Sequence, residues 1–224
     1  MAYRAGYSFE KGNSMNIPTK ITLSRIVMVI AMLIALFVLH FIPNLNVPVY
    51  GGDLKINLVY ILMAVVFFLA ALTDKIDGDL ARKWNQVTDL GKFLDPVADK
   101  LLVNSMLVYL CVPHFVEDTM TIPLTCVIVM ILRDLIVDAM RFVAAKKGVV
   151  MAANAFGKAK TVLQMVALPI VMLNGWPFSY FDMGWGMWRI GLILVYLATL
   201  VSFISGVIYV VQNWKVVAPE KKHD

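Results

Sequence analysis

The sequence predicts an all-α integral membrane protein with six transmembrane helices and both termini on the cytoplasmic side. Three observations carry that reading. Of 224 residues, 60% are hydrophobic and only 16% charged. The apolar residues gather into runs of spanning length, and the basic residues fall almost entirely on one side of those runs. Soluble domains hold about half apolar and a quarter charged residues. A mean hydropathy of +0.77 therefore excludes a disordered chain and argues against a single water-soluble core. The net charge of +5 reads as topology and affinity for anionic headgroups, not as a nucleic-acid surface. Cys111 and Cys126 both lie in apolar stretches and suggest no disulfide framework, and three scattered histidines cannot build a His-rich metal site.

A bilayer span needs about 20 mostly apolar residues. The runs 26–43, 56–73 and 190–211 meet that unaided, whereas 93–113, 121–145 and 157–174 reach spanning length only by including charges. Punctuated loops separate them: Pro43 to Gly52, Pro113 to Asp118, and Asn174 to Gly186. Residues 1–14 form a polar extension before a second methionine, Met15, and carry no assigned function; residues 214–224 form a short tail. With a cytoplasmic N-terminus, seventeen of the twenty Lys and Arg face inward, Lys55 and Arg189 face outward, and Arg133 sits mid-span. That asymmetry is the positive-inside signal. Trp176, Trp185 and Trp188 fit an outer interfacial belt, and Trp214 an inner one.

In this topology the intramembrane polar residues converge. The second helix ends inward with Asp74 and Asp77, and the third begins there with Asp95 and Asp99. The fourth carries Arg133, Asp134, Asp138 and Arg141 in its inner half, and the fifth starts with Lys158, Lys160, Thr161 and Gln164. An Asp at a helix centre costs about 2.5–3.5 kcal/mol on insertion scales, and less near the interface. Four of them should therefore face a cavity and bind something positive. Asp74, Asp77, Gly78 and Ala81 share one helical face by spacing, as do Gly91, Asp95 and Asp99. Two facing carboxylate pairs make an oxygen-rich cage suited to Mg²⁺ or Mn²⁺, and the small residues leave room for a bulky ligand. Any one of these Asp taken alone reads as well as a helix cap or an interfacial ion-pair partner. Arg133 and Arg141, eight residues apart on one face, join Lys158 and Lys160 as a cluster suited to a phosphate.

Residues 74–99 read DKIDGDLARKWNQVTDLGKFLDPVAD. This string resembles the signature of the CDP-alcohol phosphatidyltransferase family, D-x2-D-G-x2-A-R-x8-G-x3-D-x3-D, at every fixed position. Similarity continues through NIPTKITLSR at 16–25 and GKAKT at 157–161, over most of residues 15–213, and is strongest to the branch that makes phosphatidylglycerophosphate. In that branch the fourth helix usually reads Arg-Glu, with a small Ser or Thr ahead of the next Arg; here it reads Arg133-Asp134 and Asp138-Ala139-Met140-Arg141.

The resemblance implies a homodimeric enzyme of the cell (inner) membrane, with a polar cavity open to the cytoplasm. It would transfer a phosphatidyl group from CDP-diacylglycerol to glycerol 3-phosphate and release CMP. It further implies that Asp74, Asp77, Asp95 and Asp99 hold one or two Mg²⁺ or Mn²⁺ ions, with Asp95 and Asp99 catalytic and Asp99 the candidate general base. Donor contacts would come from Asp77, Gly78, Ala81, Arg82 and Gly91, with Thr22 and Arg25 at the start of the first helix. Acceptor-phosphate contacts would come from Arg133, Arg141, Lys158 and Lys160. A phosphatidylinositol-phosphate synthase would share the motif. A small ion transporter should carry polar residues through to both faces, and the outer halves here are apolar.

Overall fold

A computed structural model of the protein describes residues 16–42, 45–84, 88–115, 119–149, 151, 155–181 and 189–217. The polar extension 1–14, Trp185, Trp188 and residues 218–224 lie outside the described residues. Six α-helices are found among those described: α1 Ile17–His40, α2 Leu58–Lys83, α3 Asp89–Tyr109, α4 Leu124–Lys146, α5 Ala155–Met172 and α6 Ile190–Val217. The protein is all-α apart from one minimal hairpin, β1 Val49–Tyr50 with β2 Ile56–Asn57, in the first loop. Strands of two residues leave no periodic trace in a sequence, so the hairpin was not foreseen.

Among the described residues, four helices are long and apolar enough to cross a membrane: α1, Leu58–Leu80 within α2, α5 and α6. α3 and α4 hold the charged residues of the motifs and fall short on composition alone. The helices overrun the apolar stretches for local reasons. α1 starts at Ile17, well before the apolar run at 26, with Pro18 in its first turn, where a missing N–H costs nothing. α2 is capped by Asn57, whose Oδ1 accepts from the Tyr60 N–H at 2.8 Å, and runs on past residue 73 to carry the first carboxylate pair. α3 is capped by Thr88, whose hydroxyl accepts from the Gly91 N–H at 3.0 Å. α4 closes on Gly148 at φ +72°: the Val149 N–H reaches the Ala144 carbonyl and the Gly148 N–H the Ala145 carbonyl, both at 3.0 Å. That left-handed closure suits a residue without Cβ.

α1 packs on α2 and α3, while α6 packs on α4 and α5. The shared core includes Tyr60, Met63 and Phe67 from α2, Leu102 and Met106 from α3, Met130 from α4, and Leu168 from α5. Large apolar side chains such as Phe37, Phe68, Leu135 and Phe203 point outward and are more than half exposed, as lipid-facing residues do. The two ends of the bundle differ in chemistry. At one, Asn174 joins three loops: its Oδ1 accepts from the Met120 N–H at 2.8 Å and its Nδ2 donates to the Leu54 carbonyl at 2.6 Å. At the other, the Thr19 and Thr88 hydroxyls meet at 2.9 Å and tie the start of α1 to the cap of α3. The charged residues gather at this second end.

Candidate active site

α2 and α3 bring all four motif aspartates to one place, and α1 supplies what they meet there. Arg25 is 1% exposed. Its Nη1 donates to Asp74 at 2.5 Å and to Asp99 at 3.1 Å, and its Nη2 pairs with Asp77. One turn earlier, the buried Thr22 hydroxyl lies 2.8 Å from Asp77 Oδ2 and 3.0 Å from Asp95 Oδ1. A hydroxyl has a single proton, so at any moment it satisfies only one of those two carboxylates. Asp77 is buried, whereas Asp74 and Asp99 are 36% and 47% exposed. The cluster is thus sealed on the α1 side and open on the other.

Among the described residues, four carboxylates face one guanidinium and one hydroxyl, which leaves three negative charges uncompensated if all are ionised. The donor set is wholly hard oxygen, the chemistry that Mg²⁺ and Mn²⁺ select. The Arg25 guanidinium lies among Asp74, Asp77 and Asp99 and contacts all three. The residues fit a divalent cation in chemistry, and three of the four carboxylates are in contact with Arg25.

Beside the carboxylates opens a cavity of about 410 Å³, lined by Asp95 and Asp99 from α3, Arg133, Asp138 and Arg141 from α4, and Lys158 and Lys160 from α5. All four predicted acceptor residues therefore border one space together with two of the motif acids. They differ in how far they are already engaged. Arg133 donates to Asp134 at 3.0 Å and to Ser205 of α6 at 2.7 Å. Lys160, 4% exposed, donates to Asp134 at 2.5 Å. Asp138 pairs with Lys100 across the cavity wall. Arg141 is exposed, and its Nε donates to the Tyr209 hydroxyl at 3.1 Å. Lys158 is exposed on the rim. Arg141 and Lys158 are thus exposed cations of the cavity, while Arg133 is half-buried and Lys160 buried.

The predicted donor residues divide. Gly78 is half-buried on the α2 face that bears Asp74 and Asp77. Gly91 serves helix contact: a Cβ there would stand 3.1 Å from the Thr88 hydroxyl and 3.5 Å from that of Thr19, against the pair that joins α1 to α3. Ala81 and Arg82 belong to the last turns of α2, and their side chains lie outside the described residues. Thr22 and Arg25 reach the carboxylates, not open space.

Sequence reasoning missed the contribution of α6. Ser205 and Tyr209 hold the two α4 arginines, and Gly206 makes room for one: a Cβ at Gly206 would lie 2.8 Å from Arg133 Cγ. The signal was present as Ser202, Ser205, Gly206 and Tyr209 at helical spacing in an otherwise apolar span.

Helices apolar enough to span, an acid cluster at one end and an adjoining basic cavity define a class: a multi-pass membrane protein that handles anionic substrates where the membrane meets water. The comparisons with known proteins make this specific. The sequence model of the CDP-alcohol phosphatidyltransferase family matches residues 15–213, and the chain belongs to that family. It is 36% identical over 200 residues to CDP-diacylglycerol–glycerol-3-phosphate 3-phosphatidyltransferase of Bacillus subtilis (strain 168), covering 89% of this chain and 96% of the relative. The proteins of the same name from Mycoplasma genitalium and Shigella flexneri serotype 5b are 34% and 36% identical, covering 78% and 86% of this chain and 72% and 88% of the relatives.

Proposed function

We propose that this protein transfers the phosphatidyl group of CDP-diacylglycerol to glycerol 3-phosphate, giving phosphatidylglycerophosphate and CMP. The observation that carries the reading is the single cavity in which Asp95 and Asp99 share a space with Arg133, Arg141, Lys158 and Lys160. An acceptor that is both an alcohol and a phosphate needs a base and a cation cluster within one molecule's length; a choline or ethanolamine acceptor would need no such cluster. The names of the relatives, over most of the chain, agree with that acceptor.

In this reading all six helices span the membrane, both termini face the cytoplasm and the cavity opens there, as the Lys and Arg distribution supports. The chain acts as a homodimer, as the family resemblance implies. Asp74, Asp77, Asp95 and Asp99 would hold one or two Mg²⁺ or Mn²⁺ ions. Bound there, a divalent cation would offset the charge of the donor diphosphate and polarise the phosphorus.

The chain's own residues do the rest. Gly78, with Ala81 and Arg82, borders the donor headgroup. Arg141 and Lys158 catch the acceptor phosphate, and Arg133 and Lys160 fix the depth at which it stops, so that its hydroxyl meets the carboxylate end of the cavity. Asp99 accepts the hydroxyl proton as the acceptor oxygen bonds to the phosphatidyl phosphorus. The bond from that phosphorus to the bridging oxygen breaks, and CMP leaves with the electron pair.

The test is purified protein with CDP-diacylglycerol, Mg²⁺ and a panel of acceptors, following CMP. Release with glycerol 3-phosphate and not with inositol phosphate is expected. The opposite preference would make it a phosphatidylinositol-phosphate synthase, and no release with any acceptor would end the enzyme reading.

A further inference from the structure

We infer that Arg25 is the acidic site's own counter-cation, seated among the carboxylates, and that it competes with a divalent ion for them. The inference rests on the metal reading above and adds to it a role for a residue that sequence placed among the donor contacts.

Four observations converge. Arg25 is 1% exposed and lies on the closed side of the cluster, so a donor molecule cannot reach it without first passing the carboxylates. Its two terminal nitrogens contact Asp74, Asp77 and Asp99, three of the four side chains that would ligate an ion. The fourth acid, Asp95, meets the hydroxyl of Thr22, on the same helix as Arg25, at 3.0 Å. Its Nε is buried with no hydrogen-bond partner, so the guanidinium is held by the acids alone and has no second anchor in this position. Without Arg25, closely spaced acids in a poorly solvated helix bundle would repel one another. With it in place, the same lone pairs cannot also serve a metal.

Two cations competing for one set of ligands obey reciprocity: the factor by which the guanidinium weakens metal binding equals the factor by which metal weakens the hold on the guanidinium. The charge also explains why arginine stands here. A planar fork spreads its donors over two terminal nitrogens among three carboxylates, where a lysine ammonium offers a single nitrogen.

The experiment measures Mn²⁺ binding, by the loss of free-ion signal in electron paramagnetic resonance, and thermal unfolding in EDTA. It uses the full chain in lipid nanodiscs as wild type, Arg25→Ala and Arg25→Lys. Arg25→Ala should bind Mn²⁺ at least about tenfold more tightly than wild type, since a competing charge within a few ångströms is gone, and should melt earlier in EDTA. Added guanidinium chloride at low concentration should reverse both effects in Arg25→Ala and do neither in wild type. Arg25→Lys, which keeps the charge and so the fold, should bind Mn²⁺ more tightly than wild type by a smaller factor. That variant decides the matter if Arg25→Ala does not survive purification. Unchanged or weaker Mn²⁺ binding in Arg25→Lys would overturn the inference. So would a raised Michaelis constant for CDP-diacylglycerol at unchanged metal affinity, which would return Arg25 to the donor site. Failure of the metal reading itself looks different: the wild type would then bind no Mn²⁺ and turn over in EDTA.

Discussion

Asp134 is the residue whose removal should be felt most sharply outside the motif. It lies buried on α4 and accepts from Arg133 at 3.0 Å and from Lys160 at 2.5 Å. Asp134→Leu matches it in shape but leaves two cations without the carboxylate they share. Breaking a buried pair from one side costs about 3–5 kcal/mol. Arg133 keeps Ser205 as a partner and is 13% exposed, so most of the loss falls on Lys160, and the lower half of that range is expected. At about 2–4 °C per kcal/mol for a chain of this size, the thermal midpoint in detergent should drop on the order of 10 °C. The double variant Asp134→Leu/Lys160→Met replaces the pair by packed apolar groups and should recover most of the stability. Glycerol 3-phosphate binding should stay impaired in it, because a cavity cation is lost. The assay is thermal unfolding of both variants, with acceptor Michaelis constants alongside. An unchanged midpoint in Asp134→Leu, or no recovery in the double variant, would refute the claim that this contact is a closed charge pair.

Other outcomes are equally definite. Asp99→Asn should lower kcat by about 10²–10⁴ at saturating divalent ion with little change in donor affinity; near wild-type turnover would remove it as the base. Arg141→Ala should raise the Michaelis constant for glycerol 3-phosphate by about tenfold, the loss of one charge-assisted contact, while kcat at saturating acceptor changes little. Gly206→Ala should destabilise by about 1–3 kcal/mol, because its Cβ would strike the Arg133 stem; a raised melting temperature, as helix propensity alone would give, contradicts the contact. At the opposite end of the bundle, His114 stacks on Tyr109 with ring centroids 4.1 Å apart. Burial, reinforced by nearby His40, holds its pKa below the ordinary value. The unfolded chain then takes the proton first as pH falls, so stability should be lost below about pH 6.5. The contribution should vanish in His114→Phe, which keeps the stack, as thermal melts across pH would show.

Much of this was legible in the residues. Carboxylates at i and i+3 on one apolar span, and at i and i+4 on the next, are too costly in a membrane to be incidental, so their meeting could be expected before any coordinate. The basic cluster was legible for the same reason: Arg133 is too deep for an interfacial anchor. What could not be read was where each cation's partner comes from. Arg25 reads from the sequence as a residue at the start of the first helix, and nothing local reveals that its guanidinium ends among three acids. The division of labour among Arg133, Arg141, Lys158 and Lys160 likewise depends on Ser205 and Tyr209 of α6, more than sixty residues downstream of the arginines they hold. Gly91 misled for a different reason. Its spacing on the acid face suggested space for a ligand, while its nearest neighbours are the Thr88 and Thr19 hydroxyls that join two helices.

The threonine pair Thr19–Thr88 and the contacts of Arg25 all join α1 to segments made much later, at sequence separations of 49 to 74 residues. In the topology proposed above, α1 enters the bilayer during synthesis with its guanidinium near the inner headgroups and no acid of its own in reach. The second and third helices follow, each bearing negative charge that cannot settle in lipid unaccompanied. The guanidinium of the earliest helix therefore gains its partners only when these three segments join in the membrane.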